Sequence, residues 1–385
     1  MTVLLPGATL GVMGGGQLGR MFVHAAQRMG YFTAVLDPDP ASPAGLVSHF
    51  HIQTGYLDEQ GLAQLMQRSA AITTEFENVP APALVTLGAH RPVAPSAESV
   101  AIAQDRAQEK AHFQRCGVPV APHAVIETAD QLAVVGDELL PGILKTSRLG
   151  YDGKGQARVT TRQELAAAWE ALQGVPCVLE KLLPLAAECS VIVARSHGGR
   201  MVNLPPQWNL HRDGILAVTQ AHADCLPVST ARQAVEATRS IAEGLRYIGV
   251  LCVEFFLLRD GSLVVNEMAP RPHNSGHYSM DACDVSQFEL QVRALAGLPL
   301  PQPRQHSPAI MLNLLGDLWY IGGDSETTPP WDRVLALPGI HLHLYGKLSA
   351  RRGRKMGHLT VTAPTVEAVR ATALQAAQVL GIPPF

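Results

Sequence analysis

The chain has 385 residues, of which 47% are hydrophobic and 16% are charged, and its formal net charge is −3. This length allows two or three domains with buried cores, and the nearly balanced charge argues against a surface devoted to nucleic acid or to a membrane. No apolar run approaches the length of a membrane span, and the start of the chain lacks a basic region before its apolar residues. We therefore expect a cytoplasmic protein with small-molecule partners, no nucleic-acid partner and no membrane partner. The six cysteines lack the paired spacing of a zinc or redox motif, so we expect reduced packing residues.

The N-terminal part of the chain predicts a compact α/β domain, which we place at residues 1–100. The predicted elements are, in chain order, a strand near 10–13, a glycine loop at 14–19, a helix that runs to Met29, a strand near 33–36, a helix near 61–68, and β segments near 71–74 and 93–94. Strands that alternate with helices in this way indicate βαβ units and a parallel sheet.

The glycine loop fits the pattern G-x-G-x-x-G through Gly14, Gly16 and Gly19, and Asp37 follows at the end of the next strand. Taken alone, this pattern predicts an NAD-dependent dehydrogenase, with Asp37 on the ribose. A second interpretation is that the backbone N–H groups of the loop hold another phosphate at a helix N-terminus. A third is a tight structural turn.

The middle and C-terminal parts predict an α+β domain at residues 101–300 and a small β-rich domain at residues 301–385, with a proline-rich linker near 298–303. The predicted elements of the middle part are a helix near 99–116, strands near 124–126 and 142–145, a second glycine loop at 150–156, a helix near 164–172, strands near 177–180 and 190–194, a helix near 231–245, and a final hairpin. The C-terminal part predicts short strands, a basic loop at 347–358 and a helix at 366–380.

The final hairpin of the middle domain carries two glutamates that face each other. Asp260 and Gly261 are a strong hairpin signal between two β-forming segments. Counting outward from a two-residue turn places Glu254 directly opposite Glu267, with Cβ atoms about 5 Å apart. Such like charges are relieved by a hard cation such as Mg²⁺, which takes carboxylate oxygens. The alternative is two glutamates on the wet face of an edge hairpin, and a three-residue loop would break the pairing.

The second glycine loop, at 150–156, follows a predicted strand that carries Lys145 and precedes another β-like segment. It lacks the G-K-[ST] of a Walker A motif, but a glycine-rich flap between antiparallel strands can cover a triphosphate, with Lys145 and Lys154 neutralising its charge. The alternative is a polar hairpin tip. The segment 180–183 supports the nucleotide interpretation, because it offers carbonyls and a carboxylate suited to adenine and ribose, and Glu188 follows nearby.

Two further segments carry many donors. Arg271 could stabilise phosphoryl charge, and His273, Asn274 and Ser275 could meet a second substrate. The basic loop could be a solvated charge run or a nucleic-acid patch, but its position after short strands favours capture of a monophosphate substrate. The basic residues of this loop are Lys347, Arg351, Arg352, Arg354 and Lys355.

Two H-x-H pairs, His49 with His51 and His341 with His343, have the strand spacing of a zinc site. No cysteine or acidic ligand lies near them in the sequence. We therefore favour ordinary surface or packing histidines at both pairs.

Six motifs, taken together in this order, resemble the ATP-grasp superfamily and, within it, the family of N5-carboxyaminoimidazole ribonucleotide synthases. They are GGGQLGRM at 14–21, TEFENV at 74–79, GYDGKGQ at 150–156, NLHRDGI at 209–215, NEMAPRPHNSGH at 266–277 and GRKMGH at 353–358. The resemblance implies a Rossmann-like N-terminal domain that binds no dinucleotide, a central ATP-grasp fold, a small C-terminal domain that completes the substrate pocket, and a cytoplasmic homodimer.

The resemblance also assigns residues. For ATP it implies Arg106, Lys145, Gly150, Tyr151, Asp152, Gly153, Lys154, Gly155, Gln156, Glu180, Lys181, Leu182, Leu183, Glu188, His211 and Asn266, with Mg²⁺ on Glu254 and Glu267. For aminoimidazole ribonucleotide it implies Gln17, Leu18, Glu75, Arg271, His273, Asn274, Ser275, Lys347, Arg354 and Lys355. Two departures stand out: Ala269 replaces a metal-binding asparagine of many ATP-grasp enzymes, although the purine enzymes share this small residue, and Arg352 replaces a common proline.

The expected reaction is ATP- and bicarbonate-dependent carboxylation of aminoimidazole ribonucleotide through carboxyphosphate, in purine biosynthesis. Asp152 and Lys347 are the candidates for proton handling and carboxyphosphate positioning, and Arg271 for phosphoryl charge. The alternatives are a formate-using ATP-grasp ligase, the NAD-linked dehydrogenase, and a nucleotide-binding regulator without catalysis.

Overall fold

The computed structural model describes residues 2–150 and 155–385. Its N-terminal part is a parallel four-stranded sheet in the order β3-β2-β1-β4, flanked by helices. The elements are β1 (Thr9–Met13), α1 (Gln17–Arg28), β2 (Phe32–Leu36), β3 (Phe50–Ile52), α2 (Glu59–Arg68), β4 (Ala71–Thr74) and α3 (Ala81–Gly88). The predicted βαβ opening is therefore confirmed. The expected strand at 93–94 is only an isolated bridge between Val93 and Ile72.

A second sheet has four antiparallel strands in the order β5-β8-β6-β7. Its region contains α4 (Ala97–Ala103), α5 (Arg106–Arg115), β5 (His123–Ile126), α6 (Ala129–Ala133), β6 (Gly142–Thr146), β7 (Gln156–Val159), α7 (Arg162–Ala171) and β8 (Cys177–Lys181). The single helix expected at 99–116 is wrong. Asp105 interrupts it, because its side chain accepts hydrogen bonds from the N–H groups of Ala107 and Gln108 and so caps a new helix that starts at Arg106.

The third sheet has nine strands within the described residues, in the order β14-β13-β9-β11-β12-β15-β17-β16, with β10 beside β9. Its strands and helices are β9 (Leu185–Arg195), β10 (Met201–Asn203), β11 (Gln207–Arg212), β12 (Ile215–Ala221), α8 (Val228–Gly244), β13 (Gly249–Leu258), β14 (Leu263–Ala269), α9 (Ser279–Ala282), α10 (Gln287–Ala296), β15 (Ala309–Leu315), α11 (Trp331–Leu335), β16 (Ile340–Leu344), β17 (Lys355–Thr362) and α12 (Val366–Leu380). The C-terminal strands thus extend the central sheet, because β15 pairs with β12. No helix of the described residues has both the length and the apolar character of a membrane span.

Helix α10 joins the N-terminal core to the central sheet. Phe288 and Val292 are buried in one cluster with residues of α1 and β1, and each such side chain contributes about 1.5–3 kcal/mol on burial. Between them lies Gln291, whose amide donates to Thr73 Oγ1 at 2.8 Å and whose carbonyl accepts from Val250 N–H at 2.6 Å. This buried side chain links β4 to β13 and therefore fixes how the two sheets meet.

The β13–β14 hairpin pairs Glu254 with Glu267, as the sequence predicts, but by a different route. The predicted two-residue turn is wrong: Leu258 N–H donates to Ser262 O at 2.9 Å, so the loop has three residues and ends at Gly261 with φ of +83°. This longer loop shifts the register by one residue. A β-bulge then leaves Asn266 without a partner and shifts the register back. The pairing of the two glutamates therefore depends on the bulge.

Candidate active site

A cavity of about 460 Å³ lies where the three parts of the chain meet. Some of the residues predicted to bind ATP, the metal and the nucleotide substrate line it. These are Gln17, Leu18, Glu75, Arg106, Gly150, His211, Glu254, Glu267, Arg271, His273, Asn274 and Lys355. Tyr151, Asp152, Gly153 and Lys154 lie outside the described residues. The other predicted residues do not line the cavity.

The two paired glutamates are the acidic centre of the cavity. Burial and the neighbouring Glu267 raise the pKa of Glu254 to about 7, although His211 opposes the shift. Burial acts on Glu267 too, but Arg106, whose Nη1 lies 3.0 Å from Glu267 Oε2, outweighs it and holds the pKa of Glu267 below its ordinary value. Glu254 Oε1 and Asn266 Oδ1 are buried and accept no hydrogen bond from the described residues. Such oxygen acceptors without donors fit a hard divalent cation.

Two histidines flank Glu254. His211 Nδ1 lies 2.9 Å from Glu188 Oε2, and its Nε2 lies 3.8 Å from Glu254 Oε1. Burial would lower the pKa of His211, but its bond to Glu188 and the nearby Glu254 raise it. His273 Nε2 lies 3.9 Å from Glu254 Oε2 on the other side. Burial, together with nearby Arg271, holds the pKa of His273 well below its ordinary value, so this imidazole is neutral.

A buried charge network stands behind this centre. Glu180 lies between Lys145 and Lys110, with both N–O distances 3.1 Å. Although burial would raise the pKa of Glu180, the two lysines lower it to about 2. The Glu180 carboxylate is thus engaged inside the protein by two lysines. Sequence reasoning missed Lys110, which is 1% exposed.

The second glycine loop connects antiparallel strands, as expected. Lys145 pairs with Gln156 across β6 and β7, and Thr146 N–H donates to Gly155 O at 2.8 Å. Gly155 has φ of +69°, which favours glycine. Lys145 therefore stands at the base of a glycine-rich hairpin, where burial lowers its pKa.

The first glycine loop is filled by the protein's own carboxylates. Glu75 accepts from the N–H groups of Gly16 and Gly19 at 2.9 and 3.1 Å, and Asp37 accepts from Gly15 N–H at 2.7 Å and from Tyr56 OH at 2.6 Å. These N–H groups are the ones that would hold a pyrophosphate. The dinucleotide interpretation is therefore wrong for this loop. Gln17 and Leu18 still line the cavity beside Glu75.

Arg271 is held by a partner that sequence reasoning missed. Its Nε donates to Glu77 Oε2 across the boundary between the N-terminal and central parts of the chain. Burial would raise the pKa of Glu77, but Arg271 lowers it to about 2, and the pKa of Arg271 is raised in turn.

A third missed residue, Glu109, lines the cavity and is bonded to the backbone of β14. Its Oε1 accepts from Met268 N–H, next to Glu267, at 2.7 Å. Burial and the nearby Glu267 raise the pKa of Glu109 to about 8.

Some of the predicted substrate residues line the cavity, and others hold neighbouring residues in place. Ser275 is fully buried, with its Oγ 2.9 Å from His273 Nδ1 and 2.8 Å from Ser190 Oγ, so it orients His273 instead of lining the cavity. Lys347 Nζ donates to Lys355 O at 2.5 Å, and Arg354 donates to Ser349 O at 3.1 Å. Both bonds shape the basic loop that presents Lys355.

Arg352, the residue that replaces a common proline in this loop, lies beside an acidic and an aromatic side chain. Its Nη2 lies 3.5 Å from Asp324, and its guanidinium lies 5.2 Å from the centre of the Tyr320 ring.

Three family models match consecutive parts of the chain: the ribonucleotide synthetase preATP-grasp domain at 7–104, the ATP-grasp domain at 111–288, and the phosphoribosylaminoimidazole carboxylase C-terminal domain at 309–372. An N5-carboxyaminoimidazole ribonucleotide synthase of Brucella melitensis is 43% identical over 366 residues, which cover 94% of this chain and 98% of the relative.

Solved structures are similar over nearly the whole chain. An ADP complex of an N5-carboxyaminoimidazole ribonucleotide synthetase matches with a TM-score of 0.91 and 36% identity, covering 99% of both chains. An Aspergillus clavatus synthase, solved with ADP and 5-aminoimidazole ribonucleotide, matches with a TM-score of 0.87 and 32% identity, covering 97% of this chain and 98% of that one.

The internal carboxylate at the first glycine loop can be displaced by a single methyl group. A Cβ at Gly16 would lie 2.5 Å from Glu75 Oε1, so we expect Gly16→Ala to break the bonds from Glu75 and to lower the free energy of unfolding by about 1–3 kcal/mol. Urea unfolding measures the change. Gly55→Ala is the control, because no atom lies within 4 Å of a Cβ there. Equal effects of the two substitutions would contradict the role of Glu75.

The Glu77–Arg271 pair predicts an acid-dependent stability. The pKa of Glu77 falls from 4.5 to about 2, so its contribution is present above pH 4.5 and is lost as pH falls toward 2. We expect Glu77→Gln, which leaves Arg271 buried without its partner, to cost about 3 kcal/mol at neutral pH. The cost should shrink between pH 4.5 and pH 3, measured by urea unfolding. The exposed Glu170→Gln is the control, and a cost for Glu77→Gln that does not depend on pH would contradict the assignment.

Proposed function

This chain belongs to the family of N5-carboxyaminoimidazole ribonucleotide synthases, which are ATP-grasp ligases of purine biosynthesis, and from that premise we propose the reaction and the residues that perform it. The protein carboxylates 5-aminoimidazole ribonucleotide with ATP and bicarbonate, and it releases ADP and phosphate. The observation that carries this proposal is the direct pairing of Glu254 with Glu267 on the wall of a cavity that Arg271 and Lys355 also line.

ATP lies between the antiparallel sheet of β5–β8 and the central sheet. Lys145 and Arg106 bind its phosphates, the backbone of 181–183 meets the base, and the flap at 150–156 covers it. Glu254 and Glu267, with Asn266 beside them, would hold Mg²⁺, which when bound neutralises charge on the phosphate oxygens. The unpartnered oxygens of Glu254 and Asn266 support this assignment.

The nucleotide substrate lies on the opposite wall of the cavity. Gln17, Leu18 and Glu75 face its imidazole and ribose, while Arg354 and Lys355 of the basic loop bind its phosphate. Arg271, His273 and Asn274 lie between this wall and the metal glutamates, where bicarbonate meets the γ-phosphate. The neutral state of His273 supports a role as a hydrogen-bond partner rather than a fixed cation.

The reaction proceeds in three steps. A bicarbonate oxygen attacks the γ-phosphorus, and the bond to ADP breaks, which gives carboxyphosphate. Carboxyphosphate then divides into CO₂ and phosphate, and the exocyclic amine of the ribonucleotide forms a bond to CO₂ and loses a proton. Arg271 stabilises the phosphoryl charge, and Asp152 and Lys347 handle the proton and the intermediate. Closure of the flap excludes water, which would hydrolyse the intermediate.

The proposal also covers the arrangement of the molecule. The domains are residues 1–100, 101–300 and 301–385, and the bonds of Gln291 to Thr73 and of Arg271 to Glu77 support the first two working as one unit. The protein acts as a cytoplasmic homodimer, as the family resemblance implies. Formate-dependent ligation and nucleotide binding without turnover remain the alternatives to test.

Omitting one reactant at a time tests the function directly. With ATP, Mg²⁺, bicarbonate and aminoimidazole ribonucleotide together, we expect rapid ADP release and formation of the labile carbamate, which trapping of ¹⁴C-bicarbonate detects. Omission of any one should abolish carbamate formation. ADP release that follows formate instead of bicarbonate would establish the formate ligase, and no substrate-dependent turnover would support the regulator.

The metal assignment predicts the effect of one isosteric substitution. We expect Glu267→Gln to lower kcat by at least about a hundredfold, because one of the paired carboxylates is lost, while the far-UV circular dichroism stays unchanged. Glu236→Gln, on the exposed face of α8, is the matched control and should keep full activity. Wild-type turnover in Glu267→Gln would remove the metal assignment without affecting the fold.

A further inference from the structure

Three histidines share one face of the C-terminal strands. His341 and His343 are two residues apart on β16, so their side chains lie on the same face, and His343 pairs directly with His358 on β17. Within the described residues, this is the H-x-H pair that gains a third imidazole from the neighbouring strand. His51 on β3, and His49 just before that strand, have no histidine opposite them, because the neighbouring strand β2 contains none.

The fold brings an acidic residue next to His341 and His343, although none lies near them in the sequence. Asp281, on α9, lies 62 residues before His343, and its Oδ2 is 2.9 Å from His343 Nε2. Its other oxygen, Oδ1, is 3.7 Å from His341 Nδ1. Asp281, His343 and His358 each offer one ligand atom, and these atoms lie within 4.8 Å of one another.

One ring nitrogen of His358 and one of His341 already lie within hydrogen-bond distance of a hydroxyl group. His358 Nδ1 lies 2.9 Å from Tyr345 OH, and His341 Nε2 lies 3.1 Å from Thr362 Oγ1. Metal-binding histidines show this arrangement, in which one ring nitrogen bonds to a supporting group and the other keeps its lone pair. His358 Nε2 is fully buried and has no hydrogen-bond partner among the described residues.

We propose that Asp281, His341, His343 and His358 form a binding site for a divalent transition metal such as Zn²⁺, outside the ligase cavity and independent of the proposed reaction. Imidazole and carboxylate ligands suit Zn²⁺, Co²⁺ or Ni²⁺ rather than Mg²⁺, which prefers oxygen. The rings of His343 and His358 stack at 4.5 Å with 14° between their planes. Zinc–nitrogen bonds of about 2.0–2.1 Å therefore require the His343 ring to turn. Its side chain is 25% exposed, which leaves room for this rotation and for entry of the ion.

The ion would act as a brace between two parts of the chain. Asp281 follows the cavity segment 271–277, while β16 and β17 flank the basic loop that presents Lys355. A bond from α9 to both strands would hold these two walls of the cavity in register. We expect the metal to raise thermal stability without being required for turnover.

Cobalt spectroscopy on the full-length protein tests the site. After treatment with EDTA and its removal, Co²⁺ is titrated in millimolar Mg²⁺, so that oxygen sites are filled, and visible absorption reports nitrogen coordination. We expect one equivalent of Co²⁺ to bind and Zn²⁺ to displace it. His343→Phe, which keeps an aromatic ring on His358, and the isosteric Asp281→Asn should each weaken binding by at least roughly tenfold.

His49→Ala serves as the matched control, because it removes a histidine from the other H-x-H pair and should leave the titration unchanged. Circular dichroism verifies that each variant is folded. The proposal is overturned by a wild-type protein that gives no cobalt spectrum, or by His343→Phe and Asp281→Asn variants that bind Co²⁺ as tightly as wild type. It is overturned equally if His49→Ala abolishes the spectrum.

Discussion

The pairing of Glu254 with Glu267, two partly buried glutamates on neighbouring strands, is the constraint on which the rest of the site depends. Two negative charges held side by side and partly shielded from water repel each other, and the protein relieves the repulsion unequally. Arg106 keeps Glu267 ionised, while Glu254 has a raised pKa. A second cation beside Glu254 would complete the balance. The side chains of the protein therefore supply only part of the positive charge that would balance the two glutamates.

The two glycine loops illustrate how the same backbone chemistry serves opposite purposes. In the first loop, Glu75 and Asp37 accept the backbone N–H groups, so the anion is part of the protein and the loop is structural. In the second, Lys145 stands at the base of the hairpin, and Glu180 absorbs only part of the positive charge of Lys145 and Lys110. The two loops therefore differ in the charge that the residues around them already provide. The spacing of the glycines alone does not predict that charge.

Local signals predicted the local structure well. The final helix begins at Val366 and ends at Leu380, as expected, because capping and apolar periodicity act within a few residues. The break at Asp105 and the bulge at Asn266 were missed, since each depends on a competing hydrogen bond or a distant strand. The glutamate pairing was right although the turn was wrong, because the turn and the bulge shift the register in opposite directions.

Partners distant in sequence were beyond prediction for a different reason. Lys110, Glu77 and Asp281 were missed because each acquires its meaning only from a residue that the fold brings beside it. A charged side chain in a sequence is most often solvated, and no local pattern says that burial will leave it with a single partner.

The contacts that cross between parts of the chain show why the cavity exists only in the assembled molecule. Gln291 links β4 to β13, Arg271 meets Glu77, and His343 meets Asp281. Each joins elements that are distant in sequence, and each is at least partly buried, so breaking one leaves a polar group without its partner. An unpaired buried polar group costs more free energy than the paired contact contributes. These bonds therefore act chiefly by disfavouring other arrangements of the parts of the chain. The geometry that brings the paired glutamates and Lys355 to the same cavity is thus specified by polar contacts, while the apolar core supplies the stability.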